Sequence, residues 1–201
     1  MNMKLRKSWV IAPVLSAILF TSCAKNEVAL PVDEANSLNE ELSIEKMTAV
    51  IQTYEYCIPD SAETAMLQFI REEEYLAHDV YSVFAEMYGF QIFYNIRQSE
   101  YVHTTAIRNL LNKYGLEDPA INHQPGVFQN QELQELYDSL IASGSQSSQQ
   151  ALEAGVAIET TDIADIQNAL LITDQQDITF VLNNLMKASY RHLAAFNAWL
   201  N

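Results

Sequence analysis

The segment QSEYVHTTAIRNLL, residues 98–111, decides the fold because it combines a helical apolar pattern with two ionisable residues inside that pattern. The apolar positions recur at helical spacing and continue just upstream, as Ile96, Ile107, Leu110 and Leu111. Glu100 and His103 lie on the same stripe, three residues apart, and therefore share one helical face. The segment predicts a helix that directs a carboxylate and an imidazole toward its own hydrophobic partners.

Four long amphipathic patterns predict an all-α structure, because no strand-like alternation interrupts them. They cover approximately residues 60–89, 92–115, 147–172 and 175–199. Asp60 followed by Glu63 is a capping-box sequence at the first start, and Gly115 stands where a helix C-cap belongs.

The links between these patterns are unequal in length. Gly89 and the pair Thr173-Asp174 mark two short links, whereas about thirty residues separate the second and third patterns and include a short helical pattern at residues 130–143. Short links make neighbouring helices antiparallel, and a long link can carry the chain along a bundle. We therefore predict a four-helix bundle over residues 59–201, with two antiparallel hairpins joined by a long crossover that contains a short helix.

Each main pattern also places ionisable residues on its apolar stripe. The candidates are Glu73 on the first helix, Glu100 and His103 on the second, Glu159 and Asp162 on the third, and His192 on the fourth. Buried carboxylates must be neutralised, paired or bound to metal. Oxygen and imidazole ligands without thiolate suit iron or manganese, with zinc as a further option. The pattern favours two divalent cations, while pairing with buried arginines and a partly hydrated polar core are the alternatives.

The remaining histidines are weaker candidates. His78 lies about 140° round the helix from Glu73, so it is expected at the surface or beside a ligand. His123 falls in the crossover and is expected to have a structural role.

The N-terminus resembles a bacterial lipoprotein signal. A basic start, an apolar run and the ending Phe-Thr-Ser-Cys predict a signal peptide at residues 1–22 and lipidation of Cys23. Residues 23–37 would form a flexible tether, and residues 38–58 a short amphipathic helix. The protein would then be anchored in the cell envelope, at the outer membrane, on the periplasmic or surface side. An ordinary signal peptide with a coincidental cysteine is the alternative.

The net charge limits the classes of binding partner, and the cysteine content limits the possible disulfides. The formal net charge of −15 argues against binding of nucleic acid and of anionic head groups. The sequence has two cysteines, so acylation of Cys23 would leave Cys57 alone, and a buried thiol is expected there. A homodimer is compatible with the sequence.

Five motifs, REEEYLAHDVY, SEYVHTTAI, GVFQNQELQELYDSL, IETTDIADI and SYRHLAAF, resemble an uncharacterised ferritin-like family, domain of unknown function 2202. The similarity covers about residues 62–198. It implies a ferritin-like bundle whose metal ligands match Glu73, Glu100, His103, Glu159 and His192.

The fourth helix departs from the ferritin-like pattern, because Ser189 stands where a glutamate belongs. Asp162, one turn after Glu159, could supply that carboxylate. The resemblance implies oxidation of ferrous iron, or reduction of oxygen or peroxide, at a di-iron site. A non-catalytic metal-binding or storage protein and a metal-free interaction lipoprotein are the alternatives.

Overall fold

The computed structural model describes residues 43–201, and this part of the chain contains six helices and no strand. The helices are α1 (Ile44–Ile51), α2 (Ser61–Tyr88), α3 (Gln91–Tyr114), α4 (Gln131–Gly144), α5 (Ser148–Ile172) and α6 (Gln176–Leu200). Within the described range, the four predicted main helices correspond to α2, α3, α5 and α6, and α4 is the predicted short helix of the crossover.

The helix ends follow the local signals in the sequence. The Asp60 side chain accepts hydrogen bonds from the backbone N–H groups of Ala62 and Glu63, and the Glu63 carboxylate accepts one from the Asp60 N–H. Gly89 and Gly115 end α2 and α3 with φ angles of 69° and 65°, which lie in the left-handed region that favours glycine. The predicted capping box and glycine stops are confirmed.

The helices form a bundle of two hairpins. α2 packs against α3, and α5 packs against α6, while α2 also contacts α5 and α3 also contacts α6. α4 lies against α2 and α5, and α1 lies against α3 and α6. The predicted helical bundle with one long crossover is confirmed.

The bundle interior consists of two apolar clusters separated by a polar layer. One cluster includes Phe84, Phe93 and Phe196, and the other includes Leu110 and Leu182. On each main helix the candidate ligands fall between residues of the two clusters: 72–74 on α2, 100–103 on α3, 159–162 on α5 and 189–192 on α6. Packed hydrocarbon therefore lies on both sides of the polar layer along the bundle.

The crossover is attached to α2 by buried acidic residues. The Glu72 carboxylate accepts hydrogen bonds from the backbone N–H groups of Gln129 and Asn130, at 2.5 Å and 3.0 Å. Asp79 accepts hydrogen bonds from the Gly126 N–H at 2.7 Å and from His123 Nε2, also at 2.7 Å. The polar side of α2 that would otherwise face solvent is consequently covered.

The histidines outside the candidate site both contact Asp79. His78 Nδ1 lies 3.0 Å from Asp79 Oδ1, and His123 stacks on Tyr75 with ring centroids 4.0 Å apart. These contacts agree with the structural role expected for His123. His78, expected at the surface or beside a ligand, is half-buried and contacts Asp79.

The N-terminal predictions are only partly visible in the structure. α1 lies inside the predicted 38–58 helix and buries Met47 and Ile51. The predicted signal peptide at 1–22, the lipidation site Cys23 and the tether at 23–37 lie outside the described residues. The described helices include none with the length and apolar character of a membrane span.

The expectation of a lone, buried Cys57 thiol is wrong. Cys57 is half-buried, and its sulfur is disulfide-bonded.

Gly155 permits close contact between α5 and α6, which leads to a stability prediction. An added Cβ would lie 2.6 Å from the Phe196 ring, which is fully buried and packs against Tyr81 at a centroid distance of 5.3 Å. Overpacking costs about 1–3 kcal/mol, whereas Gly→Ala in a helix gains about 1 kcal/mol. Gly155→Ala should therefore lower the free energy of unfolding in urea titrations, by up to about 2 kcal/mol. The exposed Ala157→Ser on α5 is the control, and an increase in stability of Gly155→Ala would contradict the prediction.

Candidate metal centre

One group of potential ligands is formed by the α2–α3 hairpin. His103 Nδ1 lies 2.8 Å from Glu100 Oε2 and 3.1 Å from Glu74 Oε2. All three side chains are almost completely buried, with at most 3% of each residue exposed. The spacing of Glu100 and His103, three residues apart, places both on the same face of α3, opposite Glu74.

A second group joins the two hairpins. His192 Nδ1, on α6, lies 2.9 Å from Glu100 Oε1 and 3.4 Å from Glu159 Oε2. Within each group the possible ligand atoms lie within 4.8 Å of one another. Glu100 belongs to both groups, and its two oxygens face different imidazoles. The His103 and His192 rings are nearly parallel, with centroids 5.8 Å apart and planes inclined by 25°.

Several buried polar atoms of this layer have no hydrogen-bond partner. They are Glu73 Oε2, Glu74 Oε1, Glu100 Oε1, Asp162 Oδ1 and His192 Nδ1. Glu100 Oε1 and His192 Nδ1 lie 2.9 Å apart and compensate each other as an ion pair, whereas the atoms of Glu73, Glu74 and Asp162 have no such partner. Each unsatisfied buried polar group costs about 1–3 kcal/mol, and more if charged. Cations coordinated by these atoms would remove that cost, so the residues present fit a metal centre.

Burial and neighbouring carboxylates raise the pKa values of four acids in the polar layer. Burial, reinforced by Asp162, raises the pKa values of Glu73 and Glu74. Burial and the Glu100 charge raise the pKa of Glu159. Burial and Glu159 raise the pKa of Asp162 to about 7. Divalent cations would oppose these shifts by favouring the ionised carboxylates.

Pairing favours the charged forms of Glu100 and His192. Burial alone would raise the pKa of Glu100, but the imidazoles of His103 and His192 hold it below its ordinary value. Burial opposes protonation of His192, yet the Glu100 carboxylate raises the pKa of His192 to about 10. In the absence of metal, Glu100 and a protonated His192 therefore form the ion pair at the middle of the layer.

Arg71, the buried arginine nearest in sequence, does not neutralise the layer. Its guanidinium pairs with Asp118 at 3.1 Å and donates a hydrogen bond to the Thr104 carbonyl. Pairing with Arg71, one of the alternatives to metal binding, is therefore excluded.

Tyr81 holds the Glu159 carboxylate in place with a hydrogen bond. The Tyr81 hydroxyl donates a 2.6 Å hydrogen bond to Glu159 Oε1, which leaves Oε2 directed toward His192. Burial and the Glu159 charge raise the pKa of Tyr81, so the phenol keeps its proton. Hydrogen bonds of this kind fix the orientation of ligands at metal sites.

The structure unites four of the six predicted ligands in the two groups: Glu100, His103, Glu159 and His192. Glu73 and Asp162 are buried in the same layer but belong to neither group. Ser189 is buried, and its hydroxyl donates to the Leu185 carbonyl at 3.0 Å.

Glu74 is the residue that the sequence reasoning missed. A single apolar stripe through Glu73 leaves Glu74 about 100° away, but α2 contacts α3, α4 and α5 and is buried on several sides. The signal was present in the spacing of seven that links Glu74 to Leu67 and Tyr81, both of which are fully buried.

These features define a helical bundle with a buried carboxylate and histidine cluster. The chain belongs to the family described as "Uncharacterized protein domain (DUF2202)", whose profile matches residues 63–201 and so includes every candidate ligand. It is 46% identical over 132 residues to "Uncharacterized protein MJ0754" of Methanocaldococcus jannaschii, covering 66% of this chain and 71% of that protein.

A solved structure supports the same fold. The "Crystal structure of hypothetical protein MJ0754 from Methanococcus jannaschii" matches with a TM-score of 0.72 and 42% identity, and the match covers 73% of this chain and 84% of that chain.

The shifted pKa values predict how the stability of the metal-free protein depends on pH. Between its ordinary pKa of 3.8 and the folded value of about 7, Asp162 is ionised when unfolded but protonated when folded, so stability falls as pH rises. His192, raised from 6.5 to about 10, loses its stabilising charge as pH rises through that interval. The low pKa of Glu100 acts only in more acidic solution.

The melting temperature of chelator-treated protein should therefore fall by several degrees between pH 5 and pH 9. Asp162→Asn is the matched variant, because it should reduce the slope below pH 7, to which Glu73, Glu74 and Glu159 also contribute, and leave the alkaline part unchanged. A melting temperature that rises across this interval would contradict the assignment.

Proposed function

We propose that this protein is a ferritin-like protein that binds two divalent metal ions, with iron favoured and manganese or zinc as alternatives. The observation that carries the proposal is the position of Glu100. Its two oxygens lie 2.8 Å and 2.9 Å from imidazole nitrogens on two different helices, in the centre of a buried layer. A carboxylate placed in this way can bridge two metal ions.

Each metal position would have its own carboxylate and imidazole. Glu74 and His103 would serve one ion, Glu159 and His192 the other, and Glu100 both. Two divalent cations would offset the carboxylate charge that burial disfavours. The ligand set contains oxygen and imidazole nitrogen but no thiolate, which suits iron and manganese better than soft metals.

An iron pair held here would supply one-electron redox chemistry, with ferrous iron oxidised and oxygen or peroxide reduced. The protein's own residues set the conditions for it. The apolar clusters around Phe84 and Leu110 keep bulk water away from both ends of the layer. Tyr81 fixes Glu159 and retains its own proton at Oη.

Storage or structural metal binding without catalysis is the second candidate. Ser189 supports it, because a serine bonded to the Leu185 carbonyl replaces the glutamate of the ferritin-like pattern. A metal-free interaction lipoprotein is the third candidate. It requires buried polar atoms of the layer to remain without a partner.

Metal loading should separate these candidates. Purified metal-free protein, incubated anaerobically with ferrous iron and desalted, should retain two iron ions per chain by elemental analysis. Glu100→Gln should retain less than one, because both positions lose the shared ligand. Glu153→Gln, an exposed carboxylate on α5, is the control and should load normally.

The outcomes of this experiment are distinct. Addition of oxygen or peroxide to loaded protein should produce ferric absorbance faster than in protein-free iron. Slow oxidation with full loading supports storage. Normal loading of Glu100→Gln would refute the ligand assignment, and loading well below one ion in the unmodified protein would leave the metal-free candidate.

We also propose that Cys23 is lipidated after removal of residues 1–22, which would anchor the protein in the cell envelope. Membrane-extracted protein should begin at Cys23 and carry the mass of a thioether-linked lipid, and Cys23→Ser should remain unlipidated. Cys57 is disulfide-bonded in this structure, and the chain has two cysteines, so the lipidated protein would differ from it by having Cys57 as a free thiol or bonded to another molecule. An unlipidated Cys23 in the membrane-extracted protein would refute the anchor.

A further inference from the structure

We propose that electrons reach the dimetal centre along a row of aromatic residues that begins at Trp199 on the surface and ends at Tyr81 in the core. The partner at the surface would be a soluble one-electron donor. This inference rests on the proposed dimetal function, because the centre is where the electrons would be consumed. It assigns a role to aromatic residues that lie outside the two ligand groups.

Tyr81 forms the inner end of the row. It is fully buried, and its hydroxyl donates a 2.6 Å hydrogen bond to Glu159 Oε1. Glu159 belongs to the ligand group that contains His192. A phenol releases an electron more easily when a neighbouring base takes its proton, and here the base is a carboxylate oxygen of the proposed centre. Phenylalanine would fill nearly the same space, so packing alone does not account for the hydroxyl.

Trp199 forms the outer end of the row. It lies on the last turn of α6 and is 48% exposed, and its ring contacts the Phe90 ring with centroids 5.2 Å apart. Indole and phenol are the aromatic side chains that give up an electron most readily. The chain has two tryptophans, and Trp9 lies in the predicted signal peptide. Trp199 would therefore be the single tryptophan of the processed protein.

Phenylalanine rings connect the two ends. The Phe90 and Phe93 rings are stacked, with centroids 6.4 Å apart and planes inclined by 2°, and the Phe93 ring lies 6.1 Å from the Tyr81 ring. Phe196 adds a parallel contact, 5.7 Å from Phe93 and 5.3 Å from Tyr81. Phenylalanine is too difficult to oxidise to hold the electron vacancy itself. These rings would instead form a closely packed bridge through which the electron tunnels.

The transfer balances with hydrogen peroxide, one of the oxidants of the proposed function. Tyr81 gives one electron to the reduction of peroxide at the centre, and its phenolic proton moves to Glu159 Oε1. An electron from Trp199 then reduces the phenoxyl radical, and the proton returns to the Tyr81 oxygen. The donor at the surface reduces the oxidised indole. Two such transfers, with two protons from solvent, convert one peroxide molecule to two water molecules and oxidise two donor molecules.

The charge of the chain restricts the donor. The formal net charge is −15, and a field of this sign repels anions and attracts cations. A neutral or cationic donor should therefore reach Trp199 more readily than an anionic one.

Pulse radiolysis of the metal-free, full-length protein tests the path without the centre. Azide radicals oxidise tryptophan in preference to tyrosine, and Trp9→Phe leaves Trp199 as their target. In this variant the indole radical should decay as a phenoxyl radical appears, at a rate independent of protein concentration. Adding Tyr81→Phe should lengthen the lifetime of the indole radical at least tenfold. Tyr88→Phe is the matched control, because the Tyr88 ring also contacts Phe90, at 6.3 Å, but lies off the row.

Addition of hydrogen peroxide to the iron-loaded protein tests the path together with the centre. Electron paramagnetic resonance should detect an organic radical, and the cationic one-electron donor hexaammineruthenium(II) should shorten its lifetime. Trp199→Phe should lengthen that lifetime at least tenfold in the presence of the donor. Because Trp199 is exposed near the end of α6, its replacement should leave the fold intact, so this result holds even if Tyr81→Phe is unstable.

Each result supports or overturns the proposal. Unchanged transfer from indole to phenol in Tyr81→Phe, or its loss in Tyr88→Phe instead, would overturn it. A radical lifetime that does not depend on Trp199 would also overturn it. Transfer that depends on Tyr81 in the metal-free protein, without metal uptake and without a radical after peroxide addition, would support the aromatic path and refute the dimetal function alone.

Discussion

The structure depends on a carboxylate that is ionised where no bulk water can solvate it. Glu100 is 3% exposed, and the imidazoles of His103 and His192 keep its pKa low. Removing one partner of a buried charged group costs several kcal/mol, about 3–5 in typical cases. The two imidazoles come from different hairpins. The ionised state of Glu100 therefore depends on the docking of the hairpins.

The two apolar clusters and the crossover separate the Glu100 carboxylate from solvent. Apolar clusters above and below the polar layer are each built from all four main helices, and closely packed cores resist local rearrangement. The crossover covers α2 through Glu72 and Asp79. The acidic residues of α2 therefore serve two purposes: some hold the crossover, and others remain available inside the bundle.

Local signals made much of this predictable. Capping residues and glycine stops predicted the main helices, and apolar stripes predicted that Glu100, His103, Glu159 and His192 face inward. The role of Glu74 was not predicted, because one stripe cannot describe a helix that is buried on several sides. The contacts of Glu72 were not predictable either, because its backbone partners lie 57 and 58 residues away. The disulfide-bonded state of Cys57 contradicts an expectation that assumed a lipid on Cys23.

The division of ligands between hairpins has a consequence for biosynthesis. Glu74 and His103 are 29 residues apart and belong to consecutive helices, so the first three-ligand group is complete once the N-terminal hairpin has folded. The second group brings Glu100 to His192, near the end of the chain. A chain still being synthesised would therefore have the ligands of one proposed metal position together but not those of the other. Occupancy of the second position would report that the whole bundle has assembled with the correct topology.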